Sequence, residues 1–434
     1  MFEVCLECNK EYDSQWCKPC NTTHLKNDFD KWTSGNVTID KFIQDAQLNA
    51  DVGYKVIEWI PYDRFRGIKQ IAKGGYGTIY YATWIDGLIS QWDIENQRWI
   101  RKNRYEVVLK RFDGIVGIND DFLNEMIIHL RANSRSIAST SLYGITKDPK
   151  TQEYMIVLHY YKGGSLRSYL NNNFKNIHWD NKLSYLHDLT YKFSQIHKID
   201  IVHRDFHPGN ILKYDLEYNS TCISDFGLSK LITKNSQKNT ISGVLPYIAP
   251  EVLGGGEYTK AADVYSFAFV AYELITGLPP YYNVPHNKEL AFNICNGLRP
   301  KIPFHTPKFI ARIIMRCWDA RITHRPAFEE LMRELCKHYL DYRENRFENN
   351  NEITIQIRAE EFFKNQTKTD TKTPKTSLNY KTHPQAIYTS RLLSFPSLPK
   401  PKNENNFEKK LEELTESFYK INAGDGDDLD TSNL

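Results

Sequence analysis

Ile201-Val202-His203-Arg204-Asp205-Phe206-His207-Pro208-Gly209-Asn210-Ile211-Leu212 is a polar loop held between two apolar runs. Its aspartate and asparagine stand five positions apart. In such a loop one side chain can accept a hydroxyl proton while the other gives magnesium an oxygen ligand. A loop with only a structural task rarely needs His, Arg, Asp, His and Asn together.

Four further signals flank this stretch in a fixed order. Ile223-Ser224-Asp225-Phe226-Gly227 follows Asn210 by fifteen residues, past an expected hairpin. Upstream, Ile71-Ala72-Lys73-Gly74-Gly75-Tyr76-Gly77-Thr78-Ile79 lies between two β-branched and aromatic runs. Glycines there let backbone amides approach phosphate oxygens with no Cβ in the way. Val107-Val108-Leu109-Lys110 is an apolar strand that ends in lysine. A lysine in that setting needs an anionic partner, either phosphate or Glu125 on the expected helix 121–131. Downstream come Ala249-Pro250-Glu251, Asp263-Val264-Tyr265-Ser266-Phe267 and Arg325-Pro326. A buried Glu251–Arg325 pair is expected to clamp this region.

The ordered set resembles the signature of eukaryotic protein kinases. It is most similar to the tyrosine-kinase-like branch of serine/threonine kinases, on Asp263 to Phe267, Gly277-Leu278-Pro279-Pro280, Gly297-Leu298-Arg299-Pro300 and Cys317-Trp318-Asp319. The resemblance covers about 65–340 and implies an α+β, two-lobed kinase fold. Its small lobe is an antiparallel sheet with one key helix, its larger lobe is helical, and ATP lies between them. By resemblance Asp205 is the catalytic base, Lys110 holds the α- and β-phosphates and pairs with Glu125, and Asn210 and Asp225 hold Mg2+. The phosphates lie under Gly74, Gly75 and Gly77. The adenine lies between Ile71, Ile79 and Val108 on one side and Leu212 on the other. Leu158 is the gatekeeper, and 159–161, with Tyr160, form the hinge. Removing Lys110 or Asp225 is expected to abolish turnover with the fold largely kept. Arg204 implies control through the activation segment 225–251, with Thr233, Ser236, Thr240 and Ser242 as candidate phosphosites.

The pattern has departures. Ala72 replaces the first loop glycine, and Val108 replaces an alanine. His207 stands where a lysine is usual, and Val244 replaces a threonine that tethers the catalytic aspartate. His129 takes a hydrophobic position and reads as a satisfied core histidine. The expected activity is transfer of the ATP γ-phosphoryl group to serine or threonine of protein substrates in intracellular signalling. Two alternatives use the same residues. His207 and Val244 fit a weakly catalytic scaffold that senses nucleotide, and His207 also permits tyrosine or dual specificity.

Four of the eight cysteines, Cys5, Cys8, Cys17 and Cys20, form C-x-x-C, eight residues, C-x-x-C. Two pairs can aim four thiolates at one tetrahedral centre, which suits a structural Zn2+ better than redox chemistry. The expected organisation is a zinc-knuckle-like segment at 1–25, a linker with a short amphipathic helix at 26–64, the kinase domain at 65–341 and a low-complexity tail at 342–434. Residues 84–104 read as an insertion that forms a surface flap or partner site. Composition places most of 365–406 without fixed structure. Phe407, Leu411, Leu414, Phe418 and Ile421 recur at spacings of four, three, four and three, the pattern of a short amphipathic docking helix. Partner docking is expected through the knuckle and this helix.

Composition bounds the rest. In 434 residues, 56 Lys+Arg against 53 Asp+Glu leave a formal charge of +3, which argues against a chain-wide nucleic-acid surface. No run approaches the roughly 20 apolar residues of a membrane span. Residues 1–10 lack the apolar run of a leader. The expected compartment is cytoplasmic or nuclear.

Overall fold

Alternation along Tyr105–Phe112 shows how the first unit is built. Successive strand side chains point to opposite faces. Val107 and Leu109 therefore join one core with Ala82, Tyr143, Met155 and Val157. Val108 and Phe112 face the other core, with Phe122, Met126, Ile156 and Leu158. A computed structural model describes residues 3–12, 16–75, 77–112, 120–133, 139–215, 220–231, 241–345, 352–366 and 380–423. The chain divides into two compact units, Met1–Tyr161 and Lys162–Leu434.

The first unit is sheet-rich. Its main sheet has six strands in the order Glu58–Trp59, Leu142–Lys147, Tyr154–His159, Tyr105–Phe112, Gly77–Trp84 and Phe65–Lys73. All neighbours are antiparallel except the first pair. One core is closed by helix Asp120–Asn133, whose first turn carries Asp120 and Asp121 at the positive end of the helix dipole. Helix Val37–Asn49 begins where Asn36 Oδ1 accepts from Thr38 N at 2.9 Å. It buries Ile39 and Ile43 in the same core, so this helix is part of the unit.

The N-terminal residues also pack into the first unit. Strands Glu3–Val4 and Glu11–Tyr12 pair, and helix Lys18–Lys26 follows. Residues 84–104 contain a hairpin, Leu88–Asp93 paired with Arg98–Lys102. Trp16, Leu25, Ala50, Val56 and Ile89 share a core there. His24 stacks on Trp92 at 4.0 Å, and Trp16 on Trp99 at 5.8 Å. The insertion thus receives the chain's own N-terminus.

The second unit is mainly helical. Helix Lys260–Thr276 is buried along nearly its whole length. Helices Trp179–Lys198, Lys308–Cys317 and Phe328–Asn345 turn apolar faces inward. A sheet-rich unit followed by a helical one fits the expected α+β, two-lobed architecture. Arg325 forms the expected buried clamp, with both terminal nitrogens 2.7 Å from the Glu251 carboxylate oxygens.

The tail differs from its composition. Residues 380–406 do not lack fixed structure; they are built onto the second unit. Arg391–Leu393 pairs antiparallel with Ile241–Gly243. His383 N donates to Tyr282 O at 2.8 Å, and Lys402 N to Cys295 O at 3.0 Å. Helix Phe407–Ala423 follows, and Phe407 is buried. An average over polar residues hides these few anchors, because backbone pairing needs no apolar run. Residues 367–379 and the side chains of Phe418 and Ile421 lie outside the described residues.

Candidate functional site

Two clusters of the expected site residues form, one in each unit. In the first unit, strand register places Ile79 opposite Lys110 and Val108 opposite Leu158. Directly paired residues share a face, so all four lie on one side of the sheet. Lys110 Nζ donates to Glu125 Oε1 at 2.6 Å, and both side chains are buried. His129 Nδ1 lies 3.1 Å from the Thr140 carbonyl, to which it donates. The expected core histidine is thus buried and anchored through Nδ1, while its Nε2 faces Glu125 Oε1 at 3.5 Å. Gly74 N donates to Gly77 O at 2.8 Å, closing the glycine turn that also contains Gly75. A Cβ on Gly77 would come within 2.5 Å of Arg111 O, so only glycine fits there. Ile71 is exposed, and Tyr160 sets its ring edge-on to Tyr81 at 5.0 Å.

In the second unit, the loop 203–210 is suspended from one buried carboxylate. Asp263 Oδ2 accepts from His203 N at 2.9 Å, and Oδ1 accepts from Arg204 N at 3.0 Å. His203 Nε2 donates to Ser224 O at 3.1 Å, while its Nδ1 accepts from Asp205 N at 3.3 Å. Burial holds the His203 pKa below its ordinary value, in keeping with a neutral ring in those two roles. Arg204 and Asp225 adopt left-handed backbone, at φ 71° and 62°. Non-glycine residues take that conformation mainly where surrounding contacts impose it.

The fifteen-residue gap is the hairpin expected. Ile211–Lys213 pairs with Thr221–Ile223, Ile211 opposite Ile223. Ser224 N donates to Asn210 O at 2.9 Å, so Asn210 and Asp225 flank the same hairpin end. Asn210 Nδ2 donates to Asp205 O at 3.0 Å and to Asp205 Oδ2 at 3.2 Å. Those bonds orient Oδ1 as the remaining acceptor, the hard oxygen that magnesium prefers. Leu212 is half-buried on the same hairpin.

His207 Nδ1 accepts from Gly209 N at 3.0 Å, which places the ring proton on Nε2. That nitrogen lies 3.7 Å from Asp205 Oδ1. Val244 is buried and offers no donor to Asp205. Ser242 lies in the strand Ile241–Gly243, and its carbonyl accepts from Tyr258 Oη at 2.7 Å. Arg204 lies over the Tyr258 ring at 4.2 Å. Thr233, Ser236 and Thr240 lie outside the described residues.

One network escapes sequence reading. Arg167 donates to both Glu273 oxygens, at 3.1 and 3.2 Å, and to Tyr247 Oη at 2.6 Å. These residues come from three distant segments, and no local spacing signals them.

At the N-terminus, the Sγ atoms of Cys5, Cys8, Cys17 and Cys20 all lie within 4.8 Å of one another. Cys5 and Cys20 approach to 3.7 Å, and Cys8 and Cys17 to 3.6 Å. Thiolates about 2.3 Å from one tetrahedral zinc would be about 3.8 Å apart. The donor set and its spacing therefore fit the ion.

Comparison with known proteins gives one consistent family. A family model described as protein tyrosine and serine/threonine kinase matches residues 65–335. The chain is 31% identical over 299 residues to a putative serine/threonine-protein kinase/receptor of Acanthamoeba polyphaga mimivirus, covering 68% of this chain and 16% of that one. It is 30% identical over 220 residues to a probable serine/threonine-protein kinase of Dictyostelium discoideum, covering 50% and 13%. A dual specificity protein kinase of the same organism, pyk3, is 27% identical over 281 residues, covering 64% and 19%. The chain thus spans less than a fifth of the length of these relatives. Among the described residues no helix is long and apolar enough to cross a membrane.

Proposed function

The chain belongs to the protein tyrosine and serine/threonine kinase family, and on that premise we propose that it transfers the γ-phosphoryl group of ATP to serine or threonine hydroxyls of proteins. The observation that carries this reading is the Asp205–Asn210 pair, hydrogen bonded at 3.2 Å with Asp225 at the neighbouring hairpin end. In the first unit, Lys110, oriented by Glu125, takes the α- and β-phosphates. Ile71, Ile79, Val108, Leu158 and Tyr160 offer adenine its apolar and hinge contacts, and the turn at Gly74, Gly75 and Gly77 offers amides to phosphate. In the second unit, Leu212 offers an apolar side chain to the base.

Asp205 accepts the proton of the attacking hydroxyl. Asn210 Oδ1 and the Asp225 carboxylate would hold magnesium, which supplies charge neutralisation at the phosphate oxygens. His207, with its proton on Nε2, contributes a donor beside Asp205. The family chemistry is mostly alignment and charge stabilisation, which this fixed loop provides.

The four cysteines would hold a structural zinc with every ligand position filled by protein. No water is left for activation, so this site organises the N-terminus and does no chemistry.

Purified chain with magnesium and labelled ATP is expected to label a generic basic protein on serine or threonine. No label in that protein or in the chain itself contradicts the reading, and phosphotyrosine alone overturns the substrate class. Asp205→Asn is the inactive control. Lys110 is a poorer choice than its expected role implies, because its removal leaves Glu125 buried without its cation. That loss destabilises by about 3–5 kcal/mol and confuses turnover with folding.

A further inference from the structure

The described tail brings a hydroxyl to the catalytic aspartate. Ser390 Oγ donates to Asp205 Oδ2 at 2.5 Å. His207 Nε2 lies 3.4 Å from the same hydroxyl oxygen. The next residues hold this placement through backbone pairing, with Arg391 opposite Gly243, Leu392 opposite Ser242 and Leu393 opposite Ile241. Gly243 has φ 135°, and a Cβ there would lie 3.2 Å from Asp205 Oδ1, so glycine lets the strand run close to the carboxylate.

Contacts on the other side of Ser390 fix the segment further. Arg167 Nη1 donates to Tyr388 O at 3.3 Å, and its guanidinium lies 5.0 Å over the Tyr388 ring. Tyr388 Oη donates to Pro280 O at 2.8 Å. Arg391 Nη2 donates to His286 O at 2.7 Å. Residues 388–393 are therefore held in place, and of their two short hydroxyl side chains, Thr389 and Ser390, it is Ser390 that meets Asp205.

We propose that Ser390 is a phosphoacceptor of this chain's own active site, modified in cis with ATP as the donor. The proposal rests on the kinase reading above. The new bond forms between Ser390 Oγ and the γ-phosphorus. The bond from that phosphorus to the β–γ bridging oxygen breaks, and its electron pair leaves with ADP. The Oγ proton passes to Asp205 Oδ2, which already accepts its hydrogen bond. The products are phosphoserine, ADP and a proton. Nothing is oxidised or reduced. A tethered acceptor has an effective concentration on the order of mM, so the cis reaction outruns transfer between chains at micromolar protein. The register also favours serine. With the backbone held on Ile241–Gly243, a hydroxyl one carbon from the chain reaches the carboxylate, whereas a phenol would overshoot it.

The test is phosphosite mapping of the dephosphorylated full chain after incubation with magnesium and ATP, with the generic basic protein present. Ser390 is expected to carry phosphate. In a mixture with isotope-labelled Asp205→Asn chain at micromolar protein, the wild-type copy is expected to modify its own Ser390 at least about a hundredfold faster than that of the inactive copy. Leu393→Asp places a charge in a buried strand position. It is expected to lower Ser390 phosphate about tenfold while the basic protein is still labelled. Label in the basic protein with none at Ser390 overturns the proposal and leaves the kinase reading standing. Equal labelling of Ser390 in both copies also overturns it. If neither the basic protein nor the chain is labelled, both readings fall.

Discussion

The two ends of this chain are attached to the molecule by different means. The N-terminal segment is gathered by side chains: four cysteines within 4.8 Å and an aromatic stack of His24, Trp92, Trp16 and Trp99. The tail adds backbone pairing, through Arg391–Leu393 on Ile241–Gly243 and single amide bonds at His383 and Lys402, to scattered side-chain bonds at Tyr388, Ser390, Arg391 and Asn403. A side-chain cluster announces itself through residue type and spacing. Backbone pairing accepts almost any sequence, so the tail carried no comparable mark.

The largest expected effect comes from breaking the side-chain end. Cys5→Ser with Cys8→Ser should reduce bound metal from about one zinc per chain to a small residue, measured by metal analysis after dialysis. It should also expose Trp16 and Trp99, read as a red shift in tryptophan emission. Retained zinc would show that the four thiols are not the ligands.

The backbone end should respond to Leu393→Asp, since a buried carboxylate without a partner opposes docking. Amide exchange at Ser242 and Gly243 should accelerate by about tenfold or more, with bound zinc unchanged. Unchanged exchange would mean that side chains elsewhere hold the tail.

A smaller effect is expected at Asn403. Its amide donates to Asp319 Oδ1 at 2.8 Å, and its carbonyl accepts from Ala320 N at 2.8 Å. Asn403→Ala should loosen the start of helix Phe407–Ala423 by about 1 kcal/mol, read as faster exchange in its first turns. The smallest change is expected for His24→Ala, which removes the ring stacked on Trp92 and the 2.9 Å contact with Glu7. About 1 kcal/mol of local stability should be lost, with zinc content kept. A loss of zinc there would tie the stack to the metal site more tightly than the geometry implies.

The same distinction explains what was legible beforehand. Asp205, Asn210 and Asp225 were readable because one hairpin brings them together, and its length is written in the spacing. Lys110 and Glu125 were readable because a lysine in an apolar strand demands a partner. Glu251 and Arg325 followed from their apolar surroundings. The insertion at 84–104 was visible as extra sequence, but its partner was not, since stacking of Trp92 on His24 joins residues far apart in the chain. Arg167, Glu273, Tyr247 and Tyr388 form the least legible group. Arg167 and Tyr388 are separated by 221 positions, and each side chain alone reads as an ordinary surface or core residue. Composition then pointed the wrong way for 380–406, because a polar average does not exclude a few well-placed anchors.

The most direct test of the account is the rate of Ser390 phosphorylation per molecule as the full chain is diluted with magnesium and ATP held constant. It requires the aspartate at position 205 to act as a base, the tail to dock in the observed register and the acceptor to belong to the same chain. The account predicts a fraction modified per minute that stays constant over about a hundredfold dilution, as a unimolecular step demands. A rate that falls in proportion to concentration, or phosphate on other sites with Ser390 left bare, would contradict it.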